Sequence, residues 1–239
     1  MKTVKRVLAI GAHPGDIGVL CSGTLARFAR QGASVVWAAV TDGAAGHAKM
    51  PIARAKLAAM RLVHETQAAG EIGAEMVWMG LEDGLLFEVR DLTRLLVDLV
   101  RQARPDVVIT HRPDDYHTDN SLVGREAYQA VRLACLHNLR TAHRPLASIP
   151  MLYHMDSWIS RSFEPTEYVD ITTAFAAKQA MVRANKIGVK WLRDFDGVDI
   201  FDLIATAAKF RGLQCGAKYA ECFQSPASWP QVPTSRLLP

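Results

Sequence analysis

An alternation constrains this chain more than any other feature. Short β-branched runs at Arg6 to Ile10, Ser34 to Val40, Glu75 to Met79 and Asp106 to Thr110 take turns with longer amphipathic stretches at Ser22 to Gln31, Ile52 to Ile72, Asp91 to Arg104 and Ser121 to His137. Continuous apolar runs of this length read as strands covered on both faces. Leu92, Leu95, Leu96, Leu99 and Val100 share one face at helical spacing and read as a helix laid against them. Strand, helix, strand, helix at this spacing predicts an α/β fold with a Rossmann-like, doubly wound, mostly parallel sheet and right-handed crossovers. Gly32, Gly73 and Pro105 stand where the helices should stop.

Beyond residue 140 the pattern loosens. Strands are expected at Met151 to Met155 and Tyr168 to Ile171, and helices at Thr173 to Asn185 and Ile200 to Phe223, before the proline-rich tail SPASWPQVPTSRLLP. No repeat and no linker interrupts the chain, and 239 residues suffice for one sizeable core. Residues 1–239 therefore read as a single domain, with 1–140 carrying the core and site loops and 141–239 completing the sheet and pocket.

Charge and cysteine content exclude several classes. The formal net charge is +4, and the basic residues are dispersed rather than gathered with aromatics, which speaks against nucleic acid. Cys21, Cys135, Cys215 and Cys222 show no CxxC spacing and read as reduced, buried thiols. The apolar run after MKTVKR is too short for a secretion signal, and no stretch is long enough to span a membrane, so a cytoplasmic protein without a membrane partner is expected. A small-molecule substrate fits this composition. A homo-oligomer stays open.

In a doubly wound sheet, ligands bind beyond the carboxyl ends of the strands. The polar loops lie there: GAHPGD after the first strand, TDG after the second and HRPDDYHTDN after the fourth. Gly11, Gly15 and Gly18 form G-x3-G-x2-G, one residue off a dinucleotide fingerprint, and no tyrosine has a lysine four residues on. A tight strand-to-helix turn suffices to explain those glycines. His13 and Asp16 sit on one short loop and can reach a single ion, an imidazole nitrogen and a carboxylate oxygen suiting zinc or another divalent metal. HRPDDYHTDN holds two His, three Asp and an Asn in ten residues, more than capping the following helix requires. Asp42 ends the second strand, where an acid can hold a ligand hydroxyl but is also common in any such sheet. Asp115, Asp114 and Arg112 either bind a polar substrate or solvate their loop.

These paired segments resemble the LmbE/PIG-L superfamily of metal-dependent N-deacetylases and amidases, which carries A-H-P-D-D after strand one and H-x-D-H after strand four. LCSGTLARFARQG, TDG, WMGLEDG, RPDVVITHRPDDYHTD and EYVDIT extend the likeness over most of the chain. The resemblance implies that His13 and Asp16 bind the metal, that His117 and Asp119 assist the reaction, and that Arg61 is a helix arginine reaching the pocket. It implies zinc polarising an amide carbonyl while a carboxylate deprotonates the attacking water.

Three positions depart from that pattern. Gly15 stands where the family has its general base, Asn120 where it has the third metal ligand, and Asn185 where relatives often show a histidine. The metal is therefore expected to be zinc or another divalent ion, held weakly or not at all. Three readings remain: an amide hydrolase with an atypical site, a ligand-binding protein that has lost catalysis, and a lyase, hydratase or transferase using His117 and Asp119 without metal. His64 reads as a surface histidine and His111 as bordering the pocket. His47, His137, His143 and His154 lack partners at ligand spacing. The stretch from Arg140 to Phe163, with Tyr153, Met155, Trp158 and Phe163, is expected to wall the pocket.

Overall fold

Strand β1 (Arg6–Gly11) is buried along almost its whole length, and its alternate side chains enter two different cores. Leu8 and Ile10 join Val36, Ala38 and Val108 under one layer of helices, whereas Val7 and Ala9 join Val35, Trp37 and Ile109 under another. This two-sided burial is why the run is continuously apolar rather than alternating. The computed structural model describes residues 4–46, 49, 51–158 and 162–226, and the statements below concern these.

Parallel to β1 lie β2 (Ser34–Thr41), β3 (Glu75–Leu81), β4 (Val107–Thr110) and β5 (Met151–Met155). The remaining strands, β6 (Glu167–Asp170) and β7 (Ala220–Gln224), complete a seven-stranded sheet of order β3-β2-β1-β4-β5-β7-β6, in which β7 runs antiparallel to both neighbours. Helices α1 (Asp16–Leu20), α2 (Ser22–Arg30) and α3 (Arg54–Gly70) connect β1 to β2 and β2 to β3 on one face. On the other face α4 (Leu92–Ala103) and α5 (Thr118–Leu133) connect β3 to β4 and β4 to β5. The winding reverses between β1 and β4, and their carboxyl ends open a crevice there.

The predicted architecture holds, with local corrections. The helix expected over Ile200 to Phe223 is α8 (Ile200–Cys215), which stops at Gly216 with φ 79°, and the apolar residues beyond it form β7. α6 (Phe175–Ala184) is followed by a helix the periodicity did not single out, α7 (Lys186–Phe195), capped by Asn185 accepting the Gly188 N–H at 3.1 Å. His47 and nearly all of the proline-rich tail lie outside the described residues. Among the described residues no helix is long and apolar enough to cross a membrane.

Candidate metal and substrate site

At the end of β1 the backbone turns into α1 within four residues, and Gly15 takes φ 107° to make the turn. The turn places the Asp16 carboxylate under its own loop. Asp16 Oδ2 accepts the His13 backbone N–H at 2.7 Å and lies 3.3 Å from His13 Nδ1. It also lies 3.1 Å from Nε2 of His111, a fully buried residue just beyond β4. Burial alone would raise the pKa of Asp16. The charges and hydrogen bonds of His111 and His13 overcome burial and hold this carboxyl well below the ordinary range.

The other edge of His13 faces two further acids. Its Nε2 stands 3.3 Å from Oδ1 of Asp83, in the loop after β3, and 3.5 Å from Oδ2 of Asp119, in the first turn of α5. Each acid is fixed by backbone: Asp83 Oδ2 accepts the Ala45 N–H at 3.0 Å and Asp119 Oδ2 the Gly84 N–H at 2.9 Å. Burial would lower the pKa of His13, but the carboxylates of Asp119, Asp16 and Asp83 around its ring hold it well above its ordinary value. Burial would raise both acids, and the adjacent His13 imidazole instead holds Asp83 and Asp119 below the usual carboxylate range.

One ligand atom each from His13, Asp83 and Asp119 lies within 4.8 Å of the others. His13 Nε2 is buried and makes no hydrogen bond, although two carboxylates surround it. One imidazole nitrogen and two carboxylate oxygens around an orphaned buried atom fit a divalent cation. Asn120 is 3% exposed; its Nδ2 reaches Asp115 Oδ1 at 3.3 Å while its Oδ1 lacks a partner.

A cavity of about 300 Å³ opens beside this cluster. His13, Gly15, Asp16, His117 and Asn120 line it, and the exposed His117 ring meets His13 edge-on at 4.6 Å between centroids. Arg61 and Glu65, one turn apart on α3, line its wall with Asn185. Burial pushes Glu65 up to about 7, against the hydrogen bond it accepts from Trp37 Nε1 at 2.8 Å.

The structure thus gathers His13, Gly15, Asp16, Arg61, His117 and Asn120 around one cavity, with Asp119 on the far edge of His13. It places the other three substrate candidates in loop contacts. Asp42 accepts the N–H groups of Ala44 (3.0 Å) and Asp83 (3.3 Å) and pairs with Arg54. Arg112 pairs with Asp114 and donates to the Ser162 carbonyl at 3.0 Å, while Asp115 Oδ1 accepts the His117 N–H at 3.0 Å.

Asp83 and Glu65 were not singled out. Asp83 stands in WMGLEDG, and the one available signal was that this loop also follows a strand on the same rim. Other expectations need correction. His64 is not a surface residue but 9% exposed, on the same helix as Arg61. His111 lies behind Asp16 rather than on the cavity. The rim keeps Trp158, whereas Tyr153 and Met155 belong to the core and Phe163 sits beneath Arg112 and Arg211. The four cysteines are unpaired; Cys215 is exposed and Cys135 half-buried, contrary to the expectation of burial.

A mostly parallel sheet whose carboxyl-terminal rim gathers an imidazole and carboxylates beside a cavity defines an α/β protein with a candidate metal centre. The model of the GlcNAc-PI de-N-acetylase (PIG-L) family matches residues 8–131, and the chain belongs to that family. It is 26% identical over 228 residues to the diacetylchitobiose deacetylase of Thermococcus kodakarensis, covering 91% of this chain and 82% of that one. It is 24% identical to the 4-oxalmesaconate hydratase of Pseudomonas putida, over 75% of this chain and 72% of the relative. The structure of N,N'-diacetylchitobiose deacetylase from Pyrococcus horikoshii, in complex with an inhibitor, superposes with a TM-score of 0.82 at 24% identity, covering 93% of this chain and 84% of that chain.

Proposed function

We propose that this chain removes an acyl group from an amine on a small polar substrate, as a divalent-metal-dependent amide hydrolase of the deacetylase type. One observation carries the reading: His13 stands at the crevice with its Nε2 unbonded between Asp83 and Asp119. When bound there, zinc or a similar cation supplies Lewis-acid polarisation of the amide carbonyl and a water of lowered pKa. His13, Asp83 and Asp119 would hold it, with the free Oδ1 of Asn120 as a neutral donor near by. Asp16 fixes the His13 ring through Nδ1, and His111 fixes Asp16 in turn. His117, stacked edge-on against His13, is the group placed to give a proton to the leaving amine. Gly15 offers the attacking water no carboxylate. Glu65 and His117 are among the proton-carrying groups that line the same cavity.

A second reading has its own support. Without a base at position 15 the pocket also suits addition of water to a carbon–carbon double bond, and a hydratase is among the relatives. One experiment separates the two. The zinc-loaded protein is assayed for acetate release from N,N'-diacetylchitobiose and N-acetylglucosamine derivatives, before and after chelation. Release that chelator abolishes and zinc restores supports hydrolysis. Hydration of an unsaturated dicarboxylate, with no amine freed from any amide, replaces that reading with the second.

A further inference from the structure

The lining of the cavity beside the candidate centre has two chemistries. One part is imidazole, carboxylate and amide, from His13, Asp16, His117 and Asn120, with His117 exposed to solvent. Another is carbon, from Val19, Trp37, Met181, Val182, Leu192 and Ile200, of which Trp37, Met181, Val182 and Ile200 are buried. Trp37 donates its Nε1–H to Glu65 at 2.8 Å, and the Arg61 guanidinium lies over the Trp191 ring at 4.4 Å.

Gly18 keeps the chamber open. A Cβ built on it would come no closer than 3.9 Å to Val182 Cγ2 and 4.0 Å to Trp37 Cη2, so a longer side chain there would project into the void. The whole cavity, polar and apolar parts together, is about 300 Å³, at the lower end of small-ligand pockets. The single methyl of an acetyl group covers only a small part of its carbon lining.

The geometry points to an acyl-binding chamber: the carbon-lined part of the cavity takes the acyl half of the substrate, and that group is an apolar alkyl or aryl chain longer than acetyl. This specificity rests on the amide-hydrolase reading. The amide sits at the polar part beside His13 and His117, and the chain runs past Gly15 and Gly18. Arg61 Nε and Glu65 Oε1, the two unpartnered polar atoms of the α3 wall, stand one turn apart and belong to oppositely charging groups. Each favours the charged form of the other, and the carbon wall selects the occupant.

The zinc-loaded full chain is assayed with N-acetyl-, N-butanoyl-, N-hexanoyl-, N-benzoyl- and N-succinyl-glucosamine, reading free glucosamine. Each added methylene should raise kcat/KM, by up to about fourfold. Gly18→Val should lower the hexanoyl-to-acetyl ratio at least tenfold, with Gly18→Ala between it and the parent. A preference for acetyl over every longer chain overturns the proposal while sparing the hydrolase reading. A preference for succinyl over butanoyl also overturns it, because Arg61 rather than the carbon wall would then be choosing. If no amide is cleaved, the hydrolase reading fails, and thermal-shift titration with acetate and hexanoate decides the chamber. Greater stabilisation by hexanoate upholds it, and equal effects overturn it.

Discussion

A Cβ atom built on Gly15 would stand 2.4 Å from Nδ2 of Asn185. The position that the sequence resemblance assigns to a catalytic carboxylate is therefore crowded by the amide of another residue. Asn185 earns that position by its own contacts: Nδ2 donates to the Pro14 carbonyl at 3.3 Å, and Oδ1 caps α7. Two departures that look independent along the chain are one packing arrangement, a side chain removed at 15 and one seated at 185. Gly15→Asp alone should consequently be poorly tolerated.

The cost of that substitution has two parts, a β-carbon at φ 107° and the overlap with Asn185. The backbone part is about 1–3 kcal/mol, and overpacking adds a similar amount. Asn185→Ala removes the overlap but also the α7 cap, at about 1 kcal/mol. In urea denaturation the double variant should therefore be less destabilised than the sum of the singles. Strict additivity would mean that the two side chains do not meet.

The metal assignment makes a separable prediction. Asp119 is 1% exposed and Asp83 is held by the Ala45 N–H, so neither is free to be replaced by a flexible neighbour. Asp119→Asn and Asp83→Asn should each weaken zinc binding by about tenfold or more, read by titration calorimetry. Asp115→Asn, whose carboxylate accepts the His117 N–H, should leave the zinc affinity alone. Equal affinities in all three variants would remove Asp83 and Asp119 from the site.

The sheet was legible because β1, β2 and β4 are buried on both faces and hence continuously apolar. His13 and Asp16 were legible because one turn carries both. Asp83 was not, because its proximity to His13 exists only once β3, β2 and β1 lie side by side in that order. Glu65 reads along the chain as a polar residue beside His64; only the packing of α3 against Trp37 shows that it is buried. β7 merged with α8 because apolar residues recur beyond the helix at Ala217, Tyr219, Ala220, Cys222 and Phe223, and the break is a single left-handed residue, Gly216.

Glu65 imposes a pH dependence of known sign. Burial raises its folded pKa to about 7, above the ordinary glutamate value of 4.5, so between these values the folded state holds a proton that the unfolded chain has lost. Its contribution is fully present below pH 4.5, falls as pH rises toward 7 and is then level. The total is on the order of 3 kcal/mol. Glu65→Gln keeps the shape and removes the proton. Stability measured across that window should then lose this downward slope, and a slope unchanged in the variant would show that Glu65 titrates normally.

Lys178 and Glu221 form a buried pair with unequal partners. They are 2% and 6% exposed, with Nζ 2.6 Å from Oε1. Glu221 also accepts the N–H groups of Gly23 at 3.0 Å and Thr24 at 2.7 Å, in the first turn of α2, so its charge is partly satisfied without the lysine. Lys178 has one further acceptor, the Val19 carbonyl. Removing one partner of such a pair costs about 3–5 kcal/mol. Glu221→Ala strands a buried ammonium and uncaps α2, and should lie at the upper end of that range. Lys178→Met leaves Glu221 on its two amides and should lie at or below the lower end. Urea midpoints of the two variants measure the difference, and equal losses would mean that the α2 amides contribute nothing to holding the Glu221 charge.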